Sequence, residues 1–470
     1  MKLTNYLGDR PFWRDALKIA LPVAIQNMLT TSFQLVDTLM VGQLGDVTLS
    51  AVGMAGQWSW LLGLVLFGIC SGMSVLVSQY WGVKDMKGIH RSFGIALTSC
   101  LAVSALFMAV ALALPNGVIR LFNQEPEVVR VGVSYLMIAC FSYPALALTN
   151  VFSTLLRNTE RAKLPMYLSI LSTLLNAGLN YCLIFGRLGL PAMGAAGAAL
   201  ATVISSWVAP VLLWAVSFAQ KNEMIAPLRE LLGFRRADLA LFWRKASPVA
   251  LNETLWGLGI VTLNTIFANQ GHEYYAAVTI QSTYMDIAFA FFVGLCNACV
   301  VMVGKSVGQG KISRAVLDAG RFVVLIPLSS AVLGVLTIVL RQPLVAVFNL
   351  RGTLSALTLS TTMWILVMRA AEFPLQVAPY GFVVGVFRSG GDTLTGAIFE
   401  FVCLWIFSLP LTWLAANIWH LPFVMIFAIS KLAEDTPKLV MCLIHFCRKK
   451  WIRPVTPEGK AGLAAYLKSE

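Results

Sequence analysis

Apolar residues recur along this chain in long runs separated by short polar intervals, and the pattern continues from one end to the other. A helix needs about 20 residues to cross about 30 Å of hydrocarbon, and these runs reach that length. They predict twelve spans, near residues 15–41, 48–80, 94–116, 128–156, 164–187, 193–219, 241–270, 275–305, 319–341, 355–388, 393–419 and 421–447. Lipid offers no partner to an unpaired backbone group, so only helices and closed barrels span it, and the short alternating segments of a barrel are missing. The longest polar interval, about Gln220 to Arg244, contains Lys221, Asn222, Glu223, Arg229, Glu230, Arg235, Arg236 and Asp238 and forms a linker at mid-chain.

Sliding the sequence on itself by 226 residues carries Pro22-Val23-Ala24 onto Pro248-Val249-Ala250, Gly45 onto Gly271, and Ala51-Val52 onto Ala277-Val278. The same shift carries Gly68 and Cys70 onto Gly294 and Cys296, Val75 and Val77 onto Val301 and Val303, and Gly82 onto Gly308. One register held over about 100 residues marks an internal repeat. Further on, Arg157 in LLRNTERAK pairs with Arg388 in VFRSGGDTL after an insertion of about five residues in the second half. The predicted fold class is therefore an all-α membrane protein with twelve transmembrane helices in two pseudo-symmetric six-helix lobes. Its predicted parts are a first lobe at 1–219, a cytoplasmic linker at 220–240, a second lobe at 241–447 and a cytoplasmic tail at 448–470. Six spans per half make the repeats parallel, related by an axis along the membrane normal, an arrangement that transporters use around a central cavity.

Composition agrees with a lipid surround: of 470 residues, 58% are hydrophobic and 12% charged, where a soluble protein carries about 25% charged residues. The net charge of +13 would suggest nucleic acid in a soluble protein, but the basic residues concentrate in alternate loops. They cluster at Lys84, Lys87 and Arg91, at Arg157, Arg161 and Lys163, at Arg229, Arg235, Arg236, Arg244 and Lys245, at Lys305, Lys311, Arg314 and Arg321, and at Arg448, Lys449, Lys450 and Arg453. The positive-inside rule then places both termini in the cytoplasm. The expectation is a multi-pass protein of the plasma (inner) membrane, monomeric, with lipids and not nucleic acid as partners. The basic N-terminus runs into the first span with no small-residue cleavage site, so no cleaved leader is expected. Nine cysteines lie mostly in apolar runs and are read as reduced. Cys296 and Cys299 form a CxxC inside a span without a second Cys or His pair, so no metal or redox role is assigned to it.

There is no HExxH zinc motif and no Walker A loop, so direct ATP coupling and metalloenzyme chemistry are not expected. The chain is read as no enzyme, with no cofactor, and driven by an ion gradient. Charged residues inside spans carry the remaining information, because an unpaired charge in hydrocarbon is costly and faces a cavity or a partner. Asp37, in QLVDTLMVGQLG, lies about one turn inside span 1 and either snorkels to the interface or serves a site. Glu253, in PVALNETLW, has no basic residue at helical neighbouring spacing. Asp286, in QSTYMDIAFAFF, is protonated, paired across helices, or facing water. Arg369 and Glu372 are three apart on one helix face, so they neutralise each other or exchange that partnership for a proton or cation. Lys431, Glu434, Asp435 and Lys438 can pair at i,i+4 as structural charges. The Gly-rich SQYWGVKDMKG and its copy GKSVGQGK are equivalent tight turns. Phe and Trp suit lipid contact or a hydrophobic substrate cavity.

Several segments together resemble the multidrug and toxic compound extrusion (MATE) transporters over nearly the full length. They are ALPVAIQNMLTTSFQLVDTLMVGQLGDVTLSAVG (Ala20 to Gly53), SVLVSQYWGVKD (Ser74 to Asp85), LNYCLIFGRLGLPAMGAAGAALATVIS (Leu179 to Ser205), SPVALNETLW and FRSGGDTL. The resemblance implies export of amphipathic, often cationic, small molecules in exchange for Na⁺ or H⁺. It also implies that Asp37 is the first-span acid of an N-lobe cation site, with Asn176, Asn180 and Thr202 as companions and Na⁺ as a possible metal there. Glu253 becomes the seventh-span acid of the C-lobe. Two departures stand out: Asn180 occupies the place where some members carry a span-5 carboxylate, and Glu372 does not align cleanly with the span-10 acid. Asp286, Arg369 and Glu372 thus remain further candidates for a cavity or coupling role. Alternatives are a lipid-linked precursor or polysaccharide flippase of the same superfamily, which calls for a strongly cationic cavity, and a membrane receptor that does not transport.

Overall fold

The computed structural model describes residues 8–122, 124–220, 226–348 and 354–469; Lys221, Asn222 and Glu223 of the predicted linker lie outside the described residues. The first half of the chain forms α1 (Arg10–Gly42), α2 (Asp46–Val83), α3 (Met86–Ala113), the short α4 (Pro115–Arg120), α5 (Pro126–Ala139), α6 (Tyr143–Asn158), α7 (Lys163–Phe185) and α8 (Ala195–Ala219). After α9 (Leu228–Leu231), the second half forms α10 (Arg236–Ala268), α11 (His272–Gly308), α12 (Ile312–Val339), α13 (Arg341–Phe348), α14 (Ala356–Tyr380), α15 (Arg388–Gly390), α16 (Thr393–Phe401), α17 (Leu409–Asn417), α18 (Phe423–Cys447) and α19 (Pro457–Ser469).

Three of the predicted spans are pairs of helices joined through a change of helical pitch. A 3₁₀ turn at Cys140–Ser142 joins α5 to α6, and π turns at Gly381–Phe387 and Val402–Ser408 join α14 to α15 and α16 to α17. Prolines flank each change: Pro144 and Pro410 follow two of them and Pro379 precedes the third. A proline lacks the amide that the carbonyl four residues earlier needs, so the ladder re-pairs locally. Counting these joined pairs as single spans, twelve long helical segments cover the predicted positions. Among the described residues, ten are long and apolar enough to cross a membrane by length and composition. The other two are α10, which carries Asn252 and Glu253, and α18, which carries Lys431, Glu434, Asp435 and Lys438 within its length.

The chain packs as two compact units, one of residues 1–24 with 251–470 and the other of residues 25–250. The units divide α1 after Ala24 and α10 after Ala250, two residues beyond the repeated prolines Pro22 and Pro248. Each unit therefore takes the N-terminal part of its first long helix from the opposite half of the sequence. Glycines make room for it. A Cβ on Gly294 of α11 would lie 2.5 Å from the Ala20 carbonyl oxygen, and one on its repeat partner Gly68 of α2 would lie 2.3 Å from Ala250 Cα. Small residues let helices without a hydrophobic drive between them gain contact and dispersion energy. A Gly294→Val variant is expected to lose on the order of 1–3 kcal/mol of stability, read as a lowered thermal midpoint of the purified protein. An unchanged midpoint would mean that the two helices separate there without cost.

In the unit of residues 25–250, the described part of the linker lies against α3. A Cβ on Gly94 would collide with the Leu231 carbonyl at 1.8 Å, Arg91 pairs with Asp238 at 3.0 Å, and His90 approaches Glu230 at 3.3 Å. In the other unit, the segment predicted as a tail is folded, with Trp451 fully buried and α19 beyond it. Cys296 and Cys299 are buried beside Gly385, where they act as small packing residues.

Candidate functional site

In the unit of residues 25–250, α7 presents Ser172, Asn176 and Asn180 at four-residue spacing, hence on one face, toward Asp37 of α1 and Thr202 and Ser205 of α8. Asn180 is fully buried, and its amide donates both to Asp37 and to Asn176 Oδ1, the latter at 3.2 Å. Asn176 donates to Ser205 Oγ at 3.1 Å, Ser205 to the Thr202 carbonyl at 3.1 Å, and Ser172 to the Ser205 carbonyl at 2.5 Å. The Thr202 hydroxyl returns to the Ala198 carbonyl of its own helix at 3.0 Å. Both amide hydrogens of Asn180 are thus engaged, while its Oδ1 is buried with no hydrogen-bond partner among the described residues.

This cluster forms one wall of a cavity of about 480 Å³, which Asp37, Asn176, Thr202 and Ser205 reach directly. Thr30, Gln34, Trp60 and Tyr135 line it from α1, α2 and α5. Asp37 is the charged residue among its lining residues, and no basic side chain pairs with it among the described residues. The chemistry available to a carboxylate so placed is to take up a proton or to pair with a metal or organic cation, because a lone charge in a poorly solvated setting is unfavourable. The residues that the sequence reading marked, Asp37, Asn176, Asn180 and Thr202, lie together. Tyr135, Ser205 and Trp60 were not singled out. Hydroxyls and aromatics are common in spans, and nothing in their spacing separates lining from packing.

The second acid has a different setting. Glu253 of α10 accepts from Arg388 Nη2 at 2.7 Å, and Arg388 is only 3% exposed. Beside it, Asn252 donates to Glu400 of α16. Glu372 of α14 belongs to another cluster: it pairs with Arg369, which lies 3.8 Å from Asp435 of α18, and Lys438 holds Asp435 at 3.3 Å and Glu434 at 2.9 Å. Lys431 lies over the Phe427 ring. Asp286 is exposed on α11, with Arg369 as the charged group acting on it. Among the described residues no three His, Cys, Asp or Glu side chains converge as a metal site.

The MatE family model matches this chain twice, at residues 22–182 and 248–414. The chain belongs to the MatE family. Both matches begin on the repeated prolines, so the family unit is the repeat found by the shift of 226 residues, and the second match ends inside α17. Among curated relatives, a probable multidrug resistance protein NorM from Thermotoga maritima is 24% identical over 93% of both chains. A multidrug resistance protein MdtK from Edwardsiella ictaluri is 24% identical over 86% of this chain and 88% of its own. The MatE fold is that of solved MATE transporters: VcmN of Vibrio cholerae superposes with TM-score 0.81 at 17% identity, covering 99% of both chains. A MOP superfamily transporter from Pyrococcus furiosus, for which reverse polarity of the binding pocket suggests a different function, superposes with TM-score 0.82 at 17% identity over 95% of this chain and 97% of its own. This MatE chain is a multi-pass membrane protein.

Proposed function

We propose that this MatE protein is a secondary active efflux transporter that exports amphipathic, often cationic, small molecules in exchange for Na⁺ or H⁺. The observation that carries the reading is Asp37, the charged member of the lining of a 480 Å³ cavity, which receives the Asn180 amide and has no basic partner among the described residues. A carboxylate with the side-chain oxygens of Asn176, Thr202 and Ser205 in the same cavity wall suits a hard cation such as Na⁺, and the same carboxylate accepts a proton. A substrate cation occupying the cavity competes for that one charge. Each binding event then favours the conformation that holds it best, and competition makes the two fluxes alternate. Multidrug resistance is what the NorM and MdtK relatives are named for, and the class of substrate fits this acid.

A flippase for anionic, lipid-linked cargo needs a basic cavity, and the lining here has the opposite sign. Glu253 is read as a second coupling acid whose bound cation is internal: Arg388 must give way before an ion takes its place. By the positive-inside rule we read the basic loops as cytoplasmic, with both termini on that side of the plasma membrane, and the protein as a monomer surrounded by lipid. The deciding measurement is efflux of a cationic dye from proteoliposomes under a Na⁺ gradient and, separately, a proton gradient. Dye movement driven by one of them is expected. Dye movement indifferent to both would sink the antiport reading.

A further inference from the structure

Beyond α18 the backbone turns at Lys449, in the left-handed region at φ +56°, and runs back along the turn that joins α15 to α16. Trp451 is fully buried and stacks on Phe446, with ring centroids 6.0 Å apart and planes 10° from parallel. Gly390 lies flat against it: a Cβ there would be 2.4 Å from the indole ring. The amide of Arg453 donates to the Gly390 carbonyl at 2.7 Å, and Gly391 and Ile452 form an antiparallel bridge. Asp392, 1% exposed, receives Arg453 Nη1 at 3.0 Å and His445 Nε2 at 2.8 Å, and caps α16 by accepting the Thr395 amide. Farther along, Thr456 donates to the Gly308 carbonyl at 2.7 Å. The turn secured in this way starts with Arg388, the residue that holds Glu253.

We propose that the C-terminal segment is a positioning strap, in which Trp451 and Arg453 fix the 388–392 turn and, through it, the guanidinium that occupies Glu253. The inference rests on reading Glu253 as a coupling acid. Arg388 and the driving ion compete for one carboxylate, and the attraction between charges falls with separation in a site that excludes water. A guanidinium on a frayed turn spends less time at 2.7 Å, and the carboxylate is then open to the ion more often. Among the described residues the first half lacks the two elements that this contact joins. Thr159 stands at the position of Gly390 and Asn27 at that of Glu253, so neither the contact surface for an indole nor the acid to be guarded is present there.

Two variants test the strap. Arg453→Gln alters a side chain that is 48% exposed and leaves Trp451 in place, while Trp451→Ala removes the anchor. Hydrogen–deuterium exchange of the purified full chain is followed at amides 388–395, and proteoliposome efflux gives the half-saturating concentration of the driving ion, Na⁺ in one series and protons in another. Arg453→Gln is expected to speed exchange in 388–395 and to lower that concentration about two- to fivefold, the size of an exposed charge pair, with the maximal rate kept. Arg453→Lys should restore both, and Trp451→Ala should exceed both. Unchanged exchange overturns the strap. Faster exchange with an unmoved half-saturation, or a loss of maximal rate alone, reduces the segment to a plain brace and overturns the positioning role. Glu253→Gln is measured alongside: if it shares the wild-type half-saturation, the reading of Glu253 fails and takes the positioning role with it, whatever the exchange data show.

Discussion

Changing Asp37 to asparagine is expected to abolish ion-driven efflux, lowering its rate by about a hundredfold or more, while the protein stays folded. Asparagine keeps an oxygen where Asn180 donates, so the polar cluster on α7 and α8 retains its pairing. What disappears is the charge. At about 4 Å and an effective dielectric constant near 20, one charge attracts another by about 4 kcal/mol, and about 2.7 kcal/mol already corresponds to a hundredfold. An amide cannot take up a proton to become neutral or offset a bound cation, so driving ion and substrate both lose the group for which they compete. Efflux from proteoliposomes under an imposed gradient, with the thermal midpoint as a control on folding, checks the prediction. Driven efflux within about twofold of wild type, at an unchanged midpoint, would remove Asp37 from the mechanism.

The second large effect is on stability. Glu253→Gln leaves the buried Arg388 without its carboxylate, and breaking a buried pair from one side costs about 3–5 kcal/mol. Glu400 lies close enough for its charge to reach Arg388, which places the expected loss near the lower end of that range. Removing the cation as well should recover most of it, because two neutral side chains of similar size need no mutual compensation. The double variant Glu253→Gln/Arg388→Met is therefore expected to unfold at a higher temperature than Glu253→Gln alone. Strictly additive losses in this cycle would show that the pair contributes nothing as a pair.

These two acids differ in how far they could be read before folding. Asp37 was marked by being a charge in a span, and Asn176 and Asn180 by the family resemblance alone; that they share a face follows from standing four residues apart in one helix. Their convergence needed only that α1 bring Asp37 to that face of α7. Glu253 was equally visible as a charge, but its partner lies 135 residues away in a motif whose glycines suggested only a turn. The same holds for Trp451. An isolated tryptophan in a basic tail carries no mark of burial, and only Gly390 arriving from another helix creates the surface that covers it.

The sequence by itself determined that this chain crosses a membrane about twelve times and is a duplication. A bilayer imposes its thickness and its lack of hydrogen-bond partners on every segment separately, so helix length and polarity are local properties. A repeat is likewise a property of letters in register. Only the tertiary structure decided that α1 and α10 divide between the units beyond their prolines, that Glu253 is paired with Arg388 while Asp37 has no basic side chain paired with it among the described residues, and that the last residues fold back onto the 388–392 turn. Each of these depends on distances between helices far apart in sequence. Such distances are set by packing small residues into close contact and by pairing charges that lipid would otherwise leave uncompensated.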